Sequence, residues 1–139
     1  MDVAERQSRP VIQRKHIGVG KAGEFFAAYV LQDAGADVHI LNGEYDLLVT
    51  VNGELRKVEV KASWSRRNGS RYTFYKGKSS AEYFVLVAMD TRLIRILSRN
   101  DMGDGTTRHV NSSEFSELNQ LSDIAEFMAS KEHRDASTT

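Results

Sequence analysis

Residues 44–63 read EYDLLVTVNGELRKVEVKAS, and their interpretation decides the fold. Asn52-Gly53 is a strong signal for a two-residue hairpin turn, because both positions tolerate positive φ and strand-like segments flank them at residues 45–51 and 54–62. The register follows by counting outward from the turn. Val51 faces Glu54, Thr50 faces Leu55, Leu47 faces Val58 and Asp46 faces Glu59. Alternation then puts Asp46, Leu48 and Thr50 on one face with Leu55, Lys57, Glu59, Lys61 and Ser63. Tyr45, Leu47, Val49, Val58, Val60 and Ala62 take the other, core-like face.

Directly opposed residues lie about 4.5–5.5 Å apart at Cβ, and like charges placed there repel. A divalent cation would neutralise the Asp46 and Glu59 pair, and hard carboxylate oxygens suit Mg²⁺. Lys61 points to the same side and adds positive charge. The competing interpretation is a solvated strand face on which acids and lysines simply alternate. A choice between them needs support from the rest of the chain.

At 139 residues the chain is long enough for one domain with a proper core. The expected organisation is an N-terminal arm over residues 1–17, a single domain over residues 18–129 and a disordered polar tail over residues 130–139. With 40% hydrophobic residues it has the composition of a soluble globular protein. It contains no cysteine, so disulfides and thiolate metal sites are excluded and any metal must be held by oxygen or imidazole. No apolar run approaches the roughly 20 residues that span a bilayer, and the polar N-terminus lacks a signal-peptide core. An intracellular location is expected. Nineteen basic residues balance nineteen acidic ones, so distribution is more informative than net charge.

The glycine cluster Gly18-Val19-Gly20-Lys21-Ala22-Gly23 is expected to lead into a helix that ends at Gly35. Its spacing lacks the Ser or Thr that a phosphate-binding loop carries after lysine, so a nucleotide cofactor is not expected. A helix N-terminus with Lys21 could still receive a nucleic-acid phosphate. Glu24 shares a helix face with Ala27, Ala28 and Leu31, and these small residues would let the helix lie close to a sheet. A carboxylate there is partly desolvated, which is costly unless it is paired or coordinated. Phe25, Phe26, Tyr29 and Val30 are read as core.

Residues 36–41 read as a first strand, followed by a turn at Asn42-Gly43. Residues 64–78, WSRRNGSRYTFYKGK, interleave Arg66, Arg67, Arg71, Lys76 and Lys78 with Trp64, Tyr72, Phe74 and Tyr75 and contain no acid. Cations suit phosphates and rings can stack on bases, so Lys21, Trp64, Arg66, Arg67, Arg71, Tyr72, Tyr75, Lys76 and Lys78 are candidate nucleic-acid contacts. An ordinary solvated loop with a short strand at residues 71–75 is the alternative. Residues 83–89 are apolar on both faces and predict a buried central strand. Another strand is predicted at residues 92–98, a loop at residues 100–105 and a helix at residues 113–129. The four histidines are scattered without metal-ligand spacing.

A helix bearing Glu24, strands carrying Tyr45-Asp46 and Glu59-Val60-Lys61, and a following buried strand together resemble the PD-(D/E)XK nuclease superfamily. The likeness covers residues 18–98, and its motifs are most similar to the branch of group I intron homing endonucleases and Holliday-junction-resolvase-like proteins. Tyr45 stands where the pattern has proline, and the basic aromatic segment replaces the helix between the third and fourth strands. The resemblance implies a restriction-endonuclease-like α/β fold, a mixed central sheet flanked by helices with an antiparallel hairpin carrying the site. It further implies Mg²⁺-dependent hydrolysis of DNA phosphodiesters, with Mn²⁺ as a substitute. By position Asp46 and Glu59 would be metal ligands, Lys61 would position the attacking water and stabilise charge, and Glu24 would complete the acidic set directly or through a water. A homodimer or higher symmetric oligomer would let such sites address both strands. The alternative function is a catalytically silent nucleic-acid-binding module that keeps the fold.

Overall fold

The computed structural model describes residues 10–41, 46–64, 70–77, 79–117 and 124–125. Helix α1 (Pro10–Asp33) is followed by strands β1 (Asp37–Ile40), β2 (Leu47–Val51), β3 (Glu54–Ser63), β4 (Arg71–Tyr75), β5 (Tyr83–Ala88) and β6 (Leu93–Ser98). A short helix α2 (Arg99–Met102), strand β7 (Thr107–Asn111) and a 3₁₀ turn at Ser112–Glu114 complete the described elements.

The hairpin turn takes the conformation its residue types allow, with φ of 52° at Asn52 and 79° at Gly53. It joins β2 to β3 in the counted register, Leu47 opposite Val58 and Val51 opposite Glu54. A five-stranded sheet in the order β1-β2-β3-β5-β6 results. The β3–β5 pair is parallel and the other pairs are antiparallel. The fold is thus mixed α/β. The crossover from β3 to β5 carries β4, which pairs with β7 in a separate two-stranded sheet.

Alternation along β5 explains why the protein has two cores. Tyr83, Val85 and Val87 pack with Ala27, Leu31, Val49, Val58 and Ile94 under α1. Phe84, Leu86 and Ala88 point the other way, to Tyr72, Phe74, Val110 and Phe115. All six residues of β5 are buried, as a strand covered on both faces requires.

Helix α1 departs from the sequence reading at its start. It begins at Pro10, where a proline costs little because the amide of a first helical residue has no intrahelical partner. The glycine cluster therefore lies inside the helix. Gly23 packs so tightly that an added Cβ would stand 2.6 Å from Ala62 Cβ, so the residue serves close packing of helix on strand. At the other end Gly35 N–H donates to Gln32 O and Ala36 N–H to Leu31 O, with φ of 105° at Gly35, a Schellman termination at the expected glycine.

Other expectations are corrected. Phe25 and Tyr29 are exposed, because the face of α1 that meets the sheet is the small-residue stripe. Residues 113–117 do not start a helix: the 3₁₀ turn is followed by Ser116, which bridges Ile94. Ile124 and Ala125 are helical, and the remainder of the expected helix lies outside the described residues. The expected loop at residues 100–105 begins with α2, capped by Ser98, whose Oγ accepts from Asp101 N–H at 3.2 Å. No helix among the described residues is long and apolar enough to cross a membrane.

Candidate active site

The ladder between β2 and β3 ends at Leu47 and Val58, but β3 runs on to Ser63. Over that extension its ladder partner among the described residues is β5 alone. The amides of β3 that face away from β5 need partners, and Asp46 meets one of them. Its own N–H donates to Val58 O at 3.1 Å, while its Oδ2 accepts from Val60 N–H at 2.8 Å. A side-chain carboxylate thus stands where the neighbouring strand gives out.

Glu59 and Lys61 leave β3 on the face opposite Val58 and Val60. Their side chains are 14% and 25% exposed, and Lys61 Nζ lies 3.4 Å from Glu59 Oε2. The other oxygen, Oε1, accepts from Ser79 Oγ at 3.3 Å. Ala81 N–H donates to the same Ser79 Oγ at 3.1 Å, which leaves the hydroxyl proton for Glu59. Gly77, at φ 66°, passes so close that an added Cβ would lie 3.8 Å from Lys61 Nζ.

Glu24 reaches the site from α1, with its side chain 13% exposed and Oε1 3.4 Å from Lys21 Nζ. Burial pushes the Glu24 carboxyl above the usual range, the negative charge of Asp46 pushes it further, and Lys21 opposes both. Glu59 is raised for the same two reasons in the same order, opposed by Lys61 and by the Ser79 hydrogen bond. Asp46 is therefore the electrostatic link between two half-desolvated glutamates. Excess negative charge of this kind, presented by oxygen donors, fits a hard divalent cation. Among the described residues no group of three or more His, Asp or Glu side chains is arranged to hold a metal ion, so the acids do not form a three-ligand cage.

The nucleic-acid candidates divide. Trp64, Arg71 and Tyr75 are exposed, Tyr75 by 73%. Lys21 is exposed but sits within α1 and pairs with Glu24, so the expected helix N-terminus is not there. Lys76 Nζ donates to Gly103 O, a structural contact between the chain leaving β4 and the loop before β7. Tyr72 is corrected outright. It is buried, its ring centroid is 5.0 Å from that of Phe115, and its hydroxyl donates to Asp90 Oδ1, so no base can stack on it. Arg66, Arg67 and Lys78 lie outside the described residues, as does Tyr45. Ser79 and the strand β7 were not found from sequence. Ser79 carries no periodic signal, and its place beside Glu59 exists only once the parallel crossover has formed.

A mixed sheet with one parallel pair, a long helix on one face and an acid–lysine cluster beside β3 is the arrangement these residues build. The fold, without regard to that cluster, is similar to the solved structure of a bacterial homing endonuclease, I-Ssp6803I, with a TM-score of 0.63 over 87% of this chain and 96% of that one. At 19% identity the likeness is one of fold. No protein-family model and no curated protein matches the chain.

Proposed function

We propose that this chain is a Mg²⁺-dependent endonuclease of the PD-(D/E)XK type that hydrolyses DNA phosphodiester bonds, working as a symmetric homodimer. The observation that carries the reading is that Asp46 is bound to the Val60 amide of β3, between Glu59 and Lys61, with Lys61 Nζ 3.4 Å from Glu59 Oε2. A fold shared with a homing endonuclease supports it. Asp46 and Glu59 would hold the cation, solvent would fill its remaining positions and Glu24 would reach it through a water. When bound, Mg²⁺ supplies positive charge against the phosphate oxygens and lowers the pKa of its water. Lys61 holds a half-buried ammonium where negative charge grows on the phosphate during attack. Ser79 and the Val60 amide keep the two acids oriented. Two copies related by a dyad would present one such site to each strand of a duplex.

The test is incubation of the protein with supercoiled plasmid, linear duplex, single-stranded and four-way-junction DNA in Mg²⁺, Mn²⁺ or EDTA. Cleavage is expected in either metal and not in EDTA. Asp46→Ala and Lys61→Ala should each reduce it by about 100-fold or more, with the circular dichroism spectrum unchanged. Undiminished cleavage in both variants would overturn the site. DNA affinity without cleavage of any substrate would leave a binding module on a nuclease fold.

A further inference from the structure

The two-stranded sheet of β4 and β7 has an inner face that the fold uses and an outer face that it does not. Tyr72, Phe74 and Val110 point inward and are buried. Arg71, Thr73 and Tyr75 point outward, opposite Asn111, His109 and Thr107 in the ladder. Thr73 Oγ1 and His109 Nδ1 lie 2.9 Å apart and tie the middle of the ribbon together. Of the six outward residues all but Thr73 are exposed. This face has hydrogen-bonding groups along its whole length and one aromatic ring, and no carboxylate.

Charge distribution indicates what it meets. The chain as a whole is neutral, yet residues 64–81 and 105–113 contain no Asp or Glu, and Arg71 is the cation of the ribbon's outer face, with Arg108 on the inner face opposite Phe74. The ribbon is thus a basic element in a balanced protein, complementary to a polyanion. Its dimensions suit one in particular. Strands about 4.8 Å apart and five residues long give a ribbon about 17 Å in length, and the major groove of B-form DNA, about 12 Å wide, admits a two-stranded ribbon. Its position also fits: Gly77, just past the Tyr75 end, lies against Lys61 Nζ.

We propose that the outer face of the β4–β7 ribbon enters the major groove of duplex DNA and reads base edges, with Arg71 a specificity-determining residue. The Tyr75 and Thr107 end lies beside the scissile phosphate, and Arg71 and Asn111 read base pairs further along. Arg71 has the planar fork that pairs with guanine O6 and N7. The proposal rests on the endonuclease reading above and adds to it a duplex substrate recognised by sequence.

The experiment is selection from a randomised duplex DNA library with the full chain in Ca²⁺, to allow binding without turnover, for the wild type, Arg71→Ala and Tyr75→Ala. The wild type should enrich a motif containing guanine. Arg71→Ala should lose about tenfold or more of the preference at that guanine relative to the other three bases. A library built with 7-deazaguanine, which lacks only the major-groove N7 acceptor, should weaken the wild-type preference and leave Arg71→Ala unaffected. Identical motifs of equal strength from the wild type and both variants would overturn the ribbon's role and leave the nuclease reading standing. So would equal competition by scrambled double-stranded RNA, whose major groove is too narrow for side chains to read. A wild type with no affinity for any duplex would overturn both.

Discussion

The backbone amide of Val60 donates to Asp46 Oδ2 at 2.8 Å, so the strand that carries Glu59 also fastens the carboxylate facing it. That bond holds Asp46 where its charge raises the pKa of both Glu24 and Glu59. Asp46→Asn keeps an oxygen for the Val60 amide and removes the charge. Both glutamates should then titrate lower than in the wild type, as followed by NMR of the side-chain carboxyl carbons in metal-free buffer. If either glutamate titrates unchanged, Asp46 is not their common neighbour.

The same charges make a prediction about stability. Glu24 and Glu59 start from an ordinary value of 4.5 and are raised in the folded chain, chiefly by burial. Between 4.5 and the raised value the folded state binds more protons than the unfolded one. Unfolding free energy from these two groups is thus highest below that window and falls as pH rises through it. Metal-free Glu59→Gln should therefore gain stability relative to the wild type on going from acidic to neutral pH. Urea denaturation across pH 4–7 reads the difference, and parallel curves for the two proteins would sink it. Added Mg²⁺ should stabilise the wild type, by about 2.7 kcal/mol at a hundredfold excess over Kd, and Glu59→Gln much less.

Two glycines of α1 should respond oppositely to alanine. At Gly20 no atom lies within 4 Å of an added Cβ, so Gly20→Ala gains helix propensity and should stabilise by about 0.5–1 kcal/mol. At Gly23 the new Cβ meets Ala62 Cβ at 2.6 Å, and a Cβ fixed to a strand cannot swing away. Overpacking of this kind costs about 1–3 kcal/mol, which outweighs the gain in propensity. Thermal melts of both variants decide the matter. A Gly23→Ala protein as stable as Gly20→Ala would mean that α1 does not sit against β3 as closely as described.

The hairpin was legible because its information is local. Asn52-Gly53 sets the turn, the turn sets the register as far as Leu47 opposite Val58, and Asp46 comes next in the chain, its N–H on Val58 O and its Oδ2 on Val60 N–H. Helix α1 was legible in its buried stripe and its Gly35 stop. Its start was not, because a glycine that looks like a break in sequence is here demanded by contact with Ala62, a residue of a distant strand. Strand β7 failed for a related reason. Its partner β4 lies far away in sequence, and Val110 is its one buried residue, too little pattern to announce a strand. Tyr72 is buried and offers no stacking platform, although residues 64–78 read in sequence as one basic aromatic patch. Alternation within β4 sorts that patch, sending Tyr72 and Phe74 inward and Arg71 and Tyr75 out.

Ser79 gives the remaining prediction. Its hydroxyl accepts from Ala81 N–H and so has one direction left in which to donate, toward Glu59 Oε1 at 3.3 Å. It touches no reacting group in the proposed reaction and acts through Glu59, as a positioning residue. Partners of this kind around a metal ligand typically contribute 10- to 100-fold in metal affinity. Ser79→Ala should thus weaken Mn²⁺ binding by about 10-fold or more in calorimetric titration without DNA, while Ser79→Thr, which keeps the hydroxyl, stays near wild type. The melting temperature of the metal-free protein separates this role from a purely structural one. If Ser79→Ala binds Mn²⁺ as tightly as the wild type, the hydroxyl does not orient the carboxylate. If all three proteins bind no cation, the error lies in the metal site itself and not in Ser79.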